Sequence, residues 1–452
     1  IRGKGTWENA PPLVLVDGVE REMWDIDPNE IESVTALKDA SATAVYGMRG
    51  ANGVLLITTR HGREGKARIN VSTSFTAVTP TRKIEPASSF EYAGFYNQMC
   101  ANDGREQAFS DLAIEKFRTN ADPVRFPNVN WADYIMKDVA LQQQHNVNVS
   151  GGSNRVKYFI SAGMYAQDGL FKEWGKSYSY DYGYKRFNYR ANVDINASKT
   201  TLVSASISGK VDGKDTPRAG QGSADMMKAI YCATPFYGPG FVDGRYIVNS
   251  ASPSDNLSGN WQDQLPFVGK SPMAYYDDQP GGYHCSNNKM SIDLAVTQRL
   301  DFITKGLDIK VKGAYNTFYQ LLGATTAQVS FYTPVLQQDG NTVIYRKTGD
   351  DVAPSYSTSQ SAVGRDWYAE ASVNYNRTFG GHTVTGLLLY NQAKEYYPSA
   401  YSDIPYTYFG LAGRVSYDYK NRYMAEFSIG YNGSGNFAPE RRYGTFPAGS
   451  LG

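Results

Sequence analysis

From residue 66 onward, apolar and polar side chains alternate at a period of two in segment after segment, and the connections between segments run long, short, long, short without exception. That pair of regularities limits the fold more than anything else in the chain. In "RVKYFISAGMYA", Val156, Tyr158, Ile160, Ala162 and Met164 share one face. In "RFNYRANVDIN", Phe187, Tyr189, Ala191, Val193 and Ile195 stand against Asn188, Arg190, Asn192 and Asp194. "GLDIKVKGAYNTFY" sets Leu307, Ile309, Val311 and Tyr315 against Asp308, Lys310, Lys312 and Asn316. "GLAGRVSYDYK" sets Leu411, Val415, Tyr417 and Tyr419 against Arg414, Ser416, Asp418 and Lys420. The pattern predicts eleven strands, near 66–78, 142–150, 154–166, 184–197, 200–211, 288–300, 306–320, 365–378, 382–393, 407–419 and 422–434. Tight turns built on "GGSN", "ASK", "DFITK", "GGH" and "DYKN" follow the even-numbered strands. Long connections, 79–141, 167–183, 212–287, 321–364 and 394–406, follow the odd-numbered ones. In an up-and-down sheet all the turns then lie at one end and all the loops at the other, the plan of an outer-membrane β-barrel. A Greek-key sandwich has no reason to keep such an alternation.

Strand length agrees, since about 9–11 tilted residues cross the hydrocarbon layer. Tyr189, Tyr375, Tyr390, Tyr419 and Tyr423 lie near strand ends, where aromatic side chains suit the membrane interface. The chain has no run of eighteen apolar residues, so no helix is predicted to span a membrane. With 45 basic and 44 acidic side chains it lacks the basic excess of a nucleic-acid binder. His61, His145, His284 and His382 are scattered and the three cysteines form no CxxC pair, so neither a metal site nor a cofactor is expected. Cys232 and Cys285 would meet in a disulfide in an oxidising compartment; the alternative is two unlinked thiols.

Residues 1–62 read differently, as a small α/β unit carrying nine acids and six bases. "PPLVLVDGV" gives a short strand, Leu13 to Val16, turned by Asp17-Gly18. In "DPNE", Asp27 caps a helical turn, Pro28 takes its first position and Glu30 stands where a capping box would close. "IESVTALK" is a second strand. Asp39 or Ser41 then caps the alanine-rich turn "ASATAVYG", which Gly47 stops. "RGANG" makes a tight turn into "VLLITT", an apolar strand buried on both faces. No Lys-Ser/Thr follows the glycines, which excludes a phosphate loop.

The 36 residues "DPNEIESVTALKDASATAVYGMRGANGVLLITTRHG" resemble the plug-domain signature of the SusC-like TonB-dependent outer-membrane transporters. The positions that carry the likeness are Asp27, Pro28, Lys38, Asp39, Tyr46, Gly47, Arg49, Gly50, Asn52 and Gly53, with mild departures at Ala36 and Met48. "QQQHNVNVSGGSNRVKYFISAGMYAQDGLFK", "YKRFNYRANVDIN" and "GSGNFAPERRYGTFPAGSLG" are similar to later parts of the same family. The resemblance implies a mostly β protein: a barrel of roughly 22 antiparallel transmembrane strands, about half of them present here, with a small α/β plug in the lumen. Residues 1–62 would be the C-terminal part of the plug. Residues 66–452 would be the N-terminal half of the barrel, with extracellular loops 79–141, 212–287 and 321–364. Charged inner strand faces would meet charged plug residues. The chain is expected to be part of a longer protein, because open strand edges leave backbone groups unpaired in lipid.

The resemblance further implies TonB-dependent import of an oligosaccharide or peptide across the outer membrane of a Gram-negative bacterium. A TonB–ExbB–ExbD complex would pull on a segment upstream, and a SusD-like lipoprotein would form the lid, with a dimer of transporter–lid pairs as a further arrangement. No enzymatic activity is expected: Asp277-Asp278 and Asp350-Asp351 have no EF-hand spacing, and adjacent carboxylates point apart. Segment 212–287 is rich in Tyr, Trp, Pro, Gly and Asp. It supplies the candidate substrate contacts Tyr231, Phe236, Tyr237, Trp261, Phe267, Tyr275 and Tyr276, with Asp263, Asp277 and Asp278 as polar partners; the same rings suit packing within the loop. "SSFEYAGFYNQMCA" and "FSDLAIEKFRT" begin with Ser caps and predict helices in a folded extracellular insertion. The competing readings are a siderophore or cobalamin receptor, a surface glycan-binding β protein, and, more distantly, a secreted glycosidase.

Overall fold

The computed structural model describes residues 11–38, 43, 46, 49–174, 181–218, 223–277, 280–396 and 405–452. Its N-terminal unit opens on a hairpin. Strand β1 (Leu13–Val16) passes through Asp17 and Gly18, at φ 51° and 87°, into β2 (Val19–Glu20). Two left-handed turn residues match the twist of the paired strands. The Asp17 carboxylate then accepts hydrogen bonds from the amide and hydroxyl of Thr59 at 2.9 and 2.8 Å, fixing the turn to the adjacent end of the strand Val54–Thr59. Strands β3 (Ile31–Leu37) and β4 (Val54–Thr59) complete a sheet of order β2-β1-β4-β3. Leu13, Leu15 and Val54 cluster on one face, and Val16, Ile26 and Ile57 on the other. The central strand is thus apolar on both sides, as "VLLITT" predicts, although Thr58 is exposed. The alanine-rich helix expected between Asp39 or Ser41 and Gly47 falls outside the described residues, apart from Thr43 and Tyr46.

Strands β5 (Gly65–Val78), β6 (Ala140–Gly152), β7 (Val156–Gln167), β8 (Gly183–Asn196) and β9 (Thr201–Pro217) follow. Next come the short β10 (Gly240–Val242) and β11 (Arg245–Ile247), then β12 (Gly281–Arg299) and β13 (Leu307–Gln328). Then β14 (Phe331–Leu336), β15 (Val343–Thr348), β16 (Val352–Phe379) and β17 (His382–Tyr396) precede β18 (Tyr406–Tyr419), β19 (Tyr423–Ser434) and β20 (Tyr443–Leu451). Twelve of these form one antiparallel sheet of order β20-β19-β18-β17-β16-β13-β12-β9-β8-β7-β6-β5. It is an open sheet: β5 and β20 are its two edges and do not pair with each other. All eleven expected strands are present in the expected order, and β20 is the twelfth.

The faces of this wall are inverted relative to a water-soluble sheet. Ile69, Ile160, Val311, Leu388 and Val415 point outward and are exposed, whereas Asn146, Asn192, Ser208, Asp293, Lys312 and Ser428 point inward and are buried. A continuous apolar outer face over a polar interior is what a hydrocarbon solvent selects.

Four strands run farther than their sequence pattern predicts. Strands β9, β12, β13 and β16 continue to or from residues 217, 281, 328 and 352, so segments 212–287 and 321–364 contribute strand as well as loop. Beyond the apolar belt both faces meet water, and "SYSTSQSA" has no apolar face to mark it. Backbone pairing continues there nonetheless, from Thr326↔Ser355 to Gln320↔Ala362.

The long connections fold together. Helices α1 (Ser89–Asn102), α2 (Asp111–Thr119) and α3 (Trp131–Ile135) occupy the first, and α4 (Ser223–Tyr231) and α5 (Ala274–Asp277) the third. Ser88 caps α1 in a full capping box with Glu91, and Ser110 caps α2 through the amide of Ala113, as expected. A second sheet, β10-β11-β14-β15, joins strands from two loops. One core gathers Trp131, Ile135, Phe171, Met226, Tyr246 and Met273. A second gathers Phe109, Phe117, Phe126, Phe236 and Leu265. Segment 212–287 is therefore part of a folded cap at one end of the wall, where its composition alone suggests an unstructured loop.

Candidate functional site

Six acidic residues crowd into the stretch from Glu20 to Glu32. Left to themselves they would repel; the inner face of the wall supplies their partners. Lys210 of β9 and Lys289 of β12 are register partners, so two like charges lie side by side across the ladder. Such a pair destabilises a sheet unless it is neutralised. Asp25 does this: one carboxylate oxygen is 2.7 Å from Lys210 Nζ and the other accepts from Lys289 Nζ at 2.8 Å. Glu22 accepts from the same Lys289 at 2.6 Å.

Beside this clamp lies a more deeply buried pair. Arg190 Nε donates to Glu30 Oε2 at 2.8 Å, and both side chains are 3 % exposed. Asn188 donates to the other Glu30 oxygen at 2.9 Å. Asp27 faces Arg186 at 3.4 Å. Toward the centre of the sheet, Arg21 forks onto both oxygens of Asp293 at 2.9 and 2.6 Å, the bidentate geometry that carboxylates favour. Lys312 donates to the backbone carbonyl of Asp17.

At the end of the wall where the tight turns lie, His61 Nδ1 is 2.7 Å from Asp194. The carboxylate partner raises the imidazole above its ordinary value, against a smaller opposing effect of burial. Asn192 donates to Thr59 Oγ1 and to the Arg60 carbonyl at 2.9 and 2.7 Å. Gly62 passes so close to the wall that a Cβ there would collide with the backbone of Tyr158. The N-terminal unit is thus tied to the polar side of the wall from one end to the other. Between the two lies a cavity of about 860 Å³, lined by the hairpin β1–β2, the 3₁₀ turn Met23–Asp25 and strands from β8 to β17.

The expected capping box at "DPNE" does not close. Pro28–Glu30 is a single 3₁₀ turn capped by the Asp27 side chain, which accepts from the Asn29 amide at 2.9 Å. Glu30 instead turns to Arg190, because a buried guanidinium is a stronger partner than the amide of Asp27. Of the other signature positions, Arg49 pairs with Glu20 and lies 4.9 Å over the ring of Tyr408. Tyr46 packs beside Leu13 and Val54, and burial pushes its phenol up. Gly50 is held against the Thr43 carbonyl, Asn52 sits in the turn, and Gly53, at φ 91°, donates back to Gly50 at 3.0 Å. Lys38 is exposed just after β3, while Asp39 and Gly47 lie outside the described residues.

The loop candidates separate into two groups. Phe236, Tyr237 and Tyr276 are buried in the cap cores, and Phe267 and Tyr231 pack against them, so these rings face other loop residues. Asp263 pairs with Lys116 and, at 3.4 Å, with Arg125 inside the cap. Trp261 is 57 % exposed. The side chains of Tyr275 and Asp277, and all of Asp278, lie outside the described residues. Cys232 and Cys285 are free thiols. Among the described residues no group of three or more His, Cys, Asp or Glu side chains is placed to hold a metal ion. The residues that sequence reasoning passed over are Arg21, Glu22, Asp25, Lys210 and Lys289. Their signal was the acidic run opposite inward-facing cations.

A family model described as the TonB-dependent Receptor Plug Domain matches residues 1–54. The TonB-dependent receptor P3 of Formosa agariphila is 26 % identical over 481 aligned residues, covering 100 % of this chain and 42 % of the relative. The TonB-dependent receptor SusC of Bacteroides thetaiotaomicron is also 26 % identical, covering 100 % and 44 %. Among solved structures, the RagAB peptide transporter superposes with a TM-score of 0.68 at 18 % identity, covering 98 % of this chain and 51 % of that one. The chain therefore spans somewhat less than half the length of these curated relatives.

Proposed function

Since this chain belongs to the SusC-like TonB-dependent receptors, we propose that the whole protein is an energised importer in the outer membrane of a Gram-negative bacterium. Residues 1–62 act as the plug and residues 66–452 as the first half of the barrel, with segments 79–141, 212–287 and 321–364 extracellular. The edges β5 and β20 continue into the remaining strands of the wall. A nutrient, an oligosaccharide or a peptide, enters from the loop side. A TonB–ExbB–ExbD complex, driven by the proton gradient, remodels the plug to let it through. A SusD-like lipoprotein covers the loops, and two transporter–lid pairs assemble side by side. No catalytic step is assigned to the chain.

The observation that carries this reading is the docking of a separate four-stranded sheet, by ion pairs, onto the polar side of an apolar-backed wall. A surface glycan-binding protein needs no such internal stopper. The test is nutrient uptake by cells carrying the full-length protein, with and without a protonophore. Uptake should cease on uncoupling; uptake that continues unchanged would refute energised import.

A further inference from the structure

At the turn end of the wall, the last outward-facing row is aromatic across four adjacent strands. Phe379 of β16, His382 of β17, Tyr419 of β18 and Tyr423 of β19 are successive register partners. Their ring centroids follow one another at 6.3, 4.8 and 6.5 Å. The Tyr417 hydroxyl is 2.7 Å from His382 Nδ1. The row borders the exposed apolar face that holds Leu388 and Val415. Strands β16 to β19 each have both ladder neighbours, so strands joining the sheet at β5 or β20 lie beyond this row.

Two cations are set into the row. Arg377 lies 6.0 Å over the Phe379 ring and donates to Thr304 Oγ1 at 3.4 Å. Lys420 lies 5.3 Å over the Tyr419 ring, and its stem crosses Gly381 so closely that a Cβ there would overlap it. The Lys420 amide donates to the Gly381 carbonyl at 2.8 Å, which ties the β18–β19 turn to the β16–β17 turn. Arg422 follows in the same turn.

Charge divides between the two ends of the wall. Stretches 153–155, 197–200, 299–306, 377–382 and 418–423 hold seven basic and two acidic side chains. Both acids cap their own turns: Asp301 accepts from the Gly306 amide at 3.1 Å and Asp418 from the Asn421 amide at 2.9 Å. At the opposite end, five of the six connections, 79–139, 168–182, 218–280, 329–351 and 397–405, hold more acids than bases, and 435–442 is the exception. Aromatic rings suit the headgroup level of a bilayer, and each Lys or Arg near an anionic lipid surface tightens binding about fivefold. A zwitterionic headgroup brings an ammonium that these cations repel. An acidic polypeptide would meet the cations but leave the ring row and the apolar face beside it unused.

We propose that the turn end of the wall binds anionic phospholipid headgroups, with the row Phe379, His382, Tyr419 and Tyr423 at the lipid–water boundary and Arg377, Lys420 and Arg422 taking the phosphates. This rests on the import reading above for its place in the periplasmic leaflet, and adds to it a lipid class and the residues that select it.

The test is native mass spectrometry of the full-length protein, released from detergent holding equal amounts of dioleoyl-phosphatidylglycerol and dioleoyl-phosphatidylethanolamine. The native protein should retain phosphatidylglycerol in preference. The triple substitution Arg377→Gln, Lys420→Gln, Arg422→Gln should lower that preference about tenfold or more. The charge-keeping set Arg377→Lys, Lys420→Arg, Arg422→Lys should preserve it. Equal retention of the two lipids overturns the proposal, and so does a preference unchanged by the triple Gln substitution or abolished by the charge-keeping set. Lipid A and poly-glutamate are added as further probes. Retention of either above phosphatidylglycerol, lost in the triple Gln variant, assigns the cations to the other leaflet or to a polypeptide and also overturns it. The lipid measurement needs no transport. Lost lipid preference with energised uptake intact removes only this assignment, and uptake insensitive to a protonophore with lipid preference intact removes only the import reading.

Discussion

Replacing Glu30 by Ala tests whether ion pairs hold the plug to the wall. Glu30 and Arg190 are each 3 % exposed, and Glu30 also accepts from Asn188. Removing the carboxylate leaves a buried guanidinium without its counter-charge and a buried amide without its acceptor. Breaking a pair of this kind costs about 3–5 kcal/mol. Glu30 belongs to the plug and Arg190 to the wall, so the loss falls on docking rather than on the wall itself. The assay is native-state amide exchange of the full-length protein in detergent, followed at β1 and β4 of the plug and at β7 and β8 of the wall. At about 1.4 kcal/mol per tenfold, exchange in β1 and β4 should quicken between about a hundredfold and a few thousandfold, while β7 and β8 stay protected. The double substitution Glu30→Met, Arg190→Met should recover most of the protection, because well-packed apolar replacements of a buried pair are often neutral. Unchanged exchange in Glu30→Ala would refute the reasoning, and so would a double variant as labile as the single one.

The same measurement applies to the lysine clamp. Asp25→Asn removes the carboxylate that Lys210 and Lys289 share, leaving Asp212 to the first and Glu22 to the second, and should cost about 1–3 kcal/mol; Lys289→Met in the same chain should return part of it. His61 gives a pH dependence. Its folded pKa is raised by Asp194, so its contribution to docking is complete below its ordinary pKa near 6.5 and fades as pH rises through the raised value. Exchange at Thr59 and Arg60, corrected for the intrinsic pH effect, should quicken over that window in the native protein and show no such step in His61→Gln. Cys232 is an exposed free thiol in the cap. A membrane-impermeant maleimide should label it on intact cells without prior reduction, and labelling that requires permeabilised cells would put the loops on the wrong side of the membrane.

What was legible in the sequence, and what was not, follows from how far each signal reaches along the chain. The wall strands were legible because lipid on one face and a polar interior on the other impose a period of two on every crossing residue. The signal stops where lipid stops, so the outer ends of β13 and β16 carry a loop's composition although their ladder runs on. The same limit applies to Glu30. "DPNE" meets every local requirement of a capping box, but the stronger partner, Arg190, lies 160 residues away. The loop aromatics show the limit of composition. Phe236 and Tyr276 have the chemistry of ligand contacts, yet each is needed to close a core in a cap too small to spare its large rings.

The chemistry of the interface bears on how a stopper can be both tight and removable. An apolar plug surface would bind a matching wall strongly, and once displaced it would expose a sticky face to whatever lies nearby. Here the contact is made of charges: Arg21 with Asp293, Lys289 and Lys210 with Asp25, Arg190 with Glu30, His61 with Asp194. Taken singly, such pairs contribute little, because desolvation offsets much of their attraction. They are also directional, so together they fix one docked position. When the plug is displaced each of these charged partners regains water. The ion pairs therefore define the resting position, whereas well-packed apolar replacements of such pairs are often neutral or stabilising. On that reasoning, converting the interface to Leu and Met throughout would hold the plug in place more firmly and slow import, even though every individual replacement looks harmless to the fold.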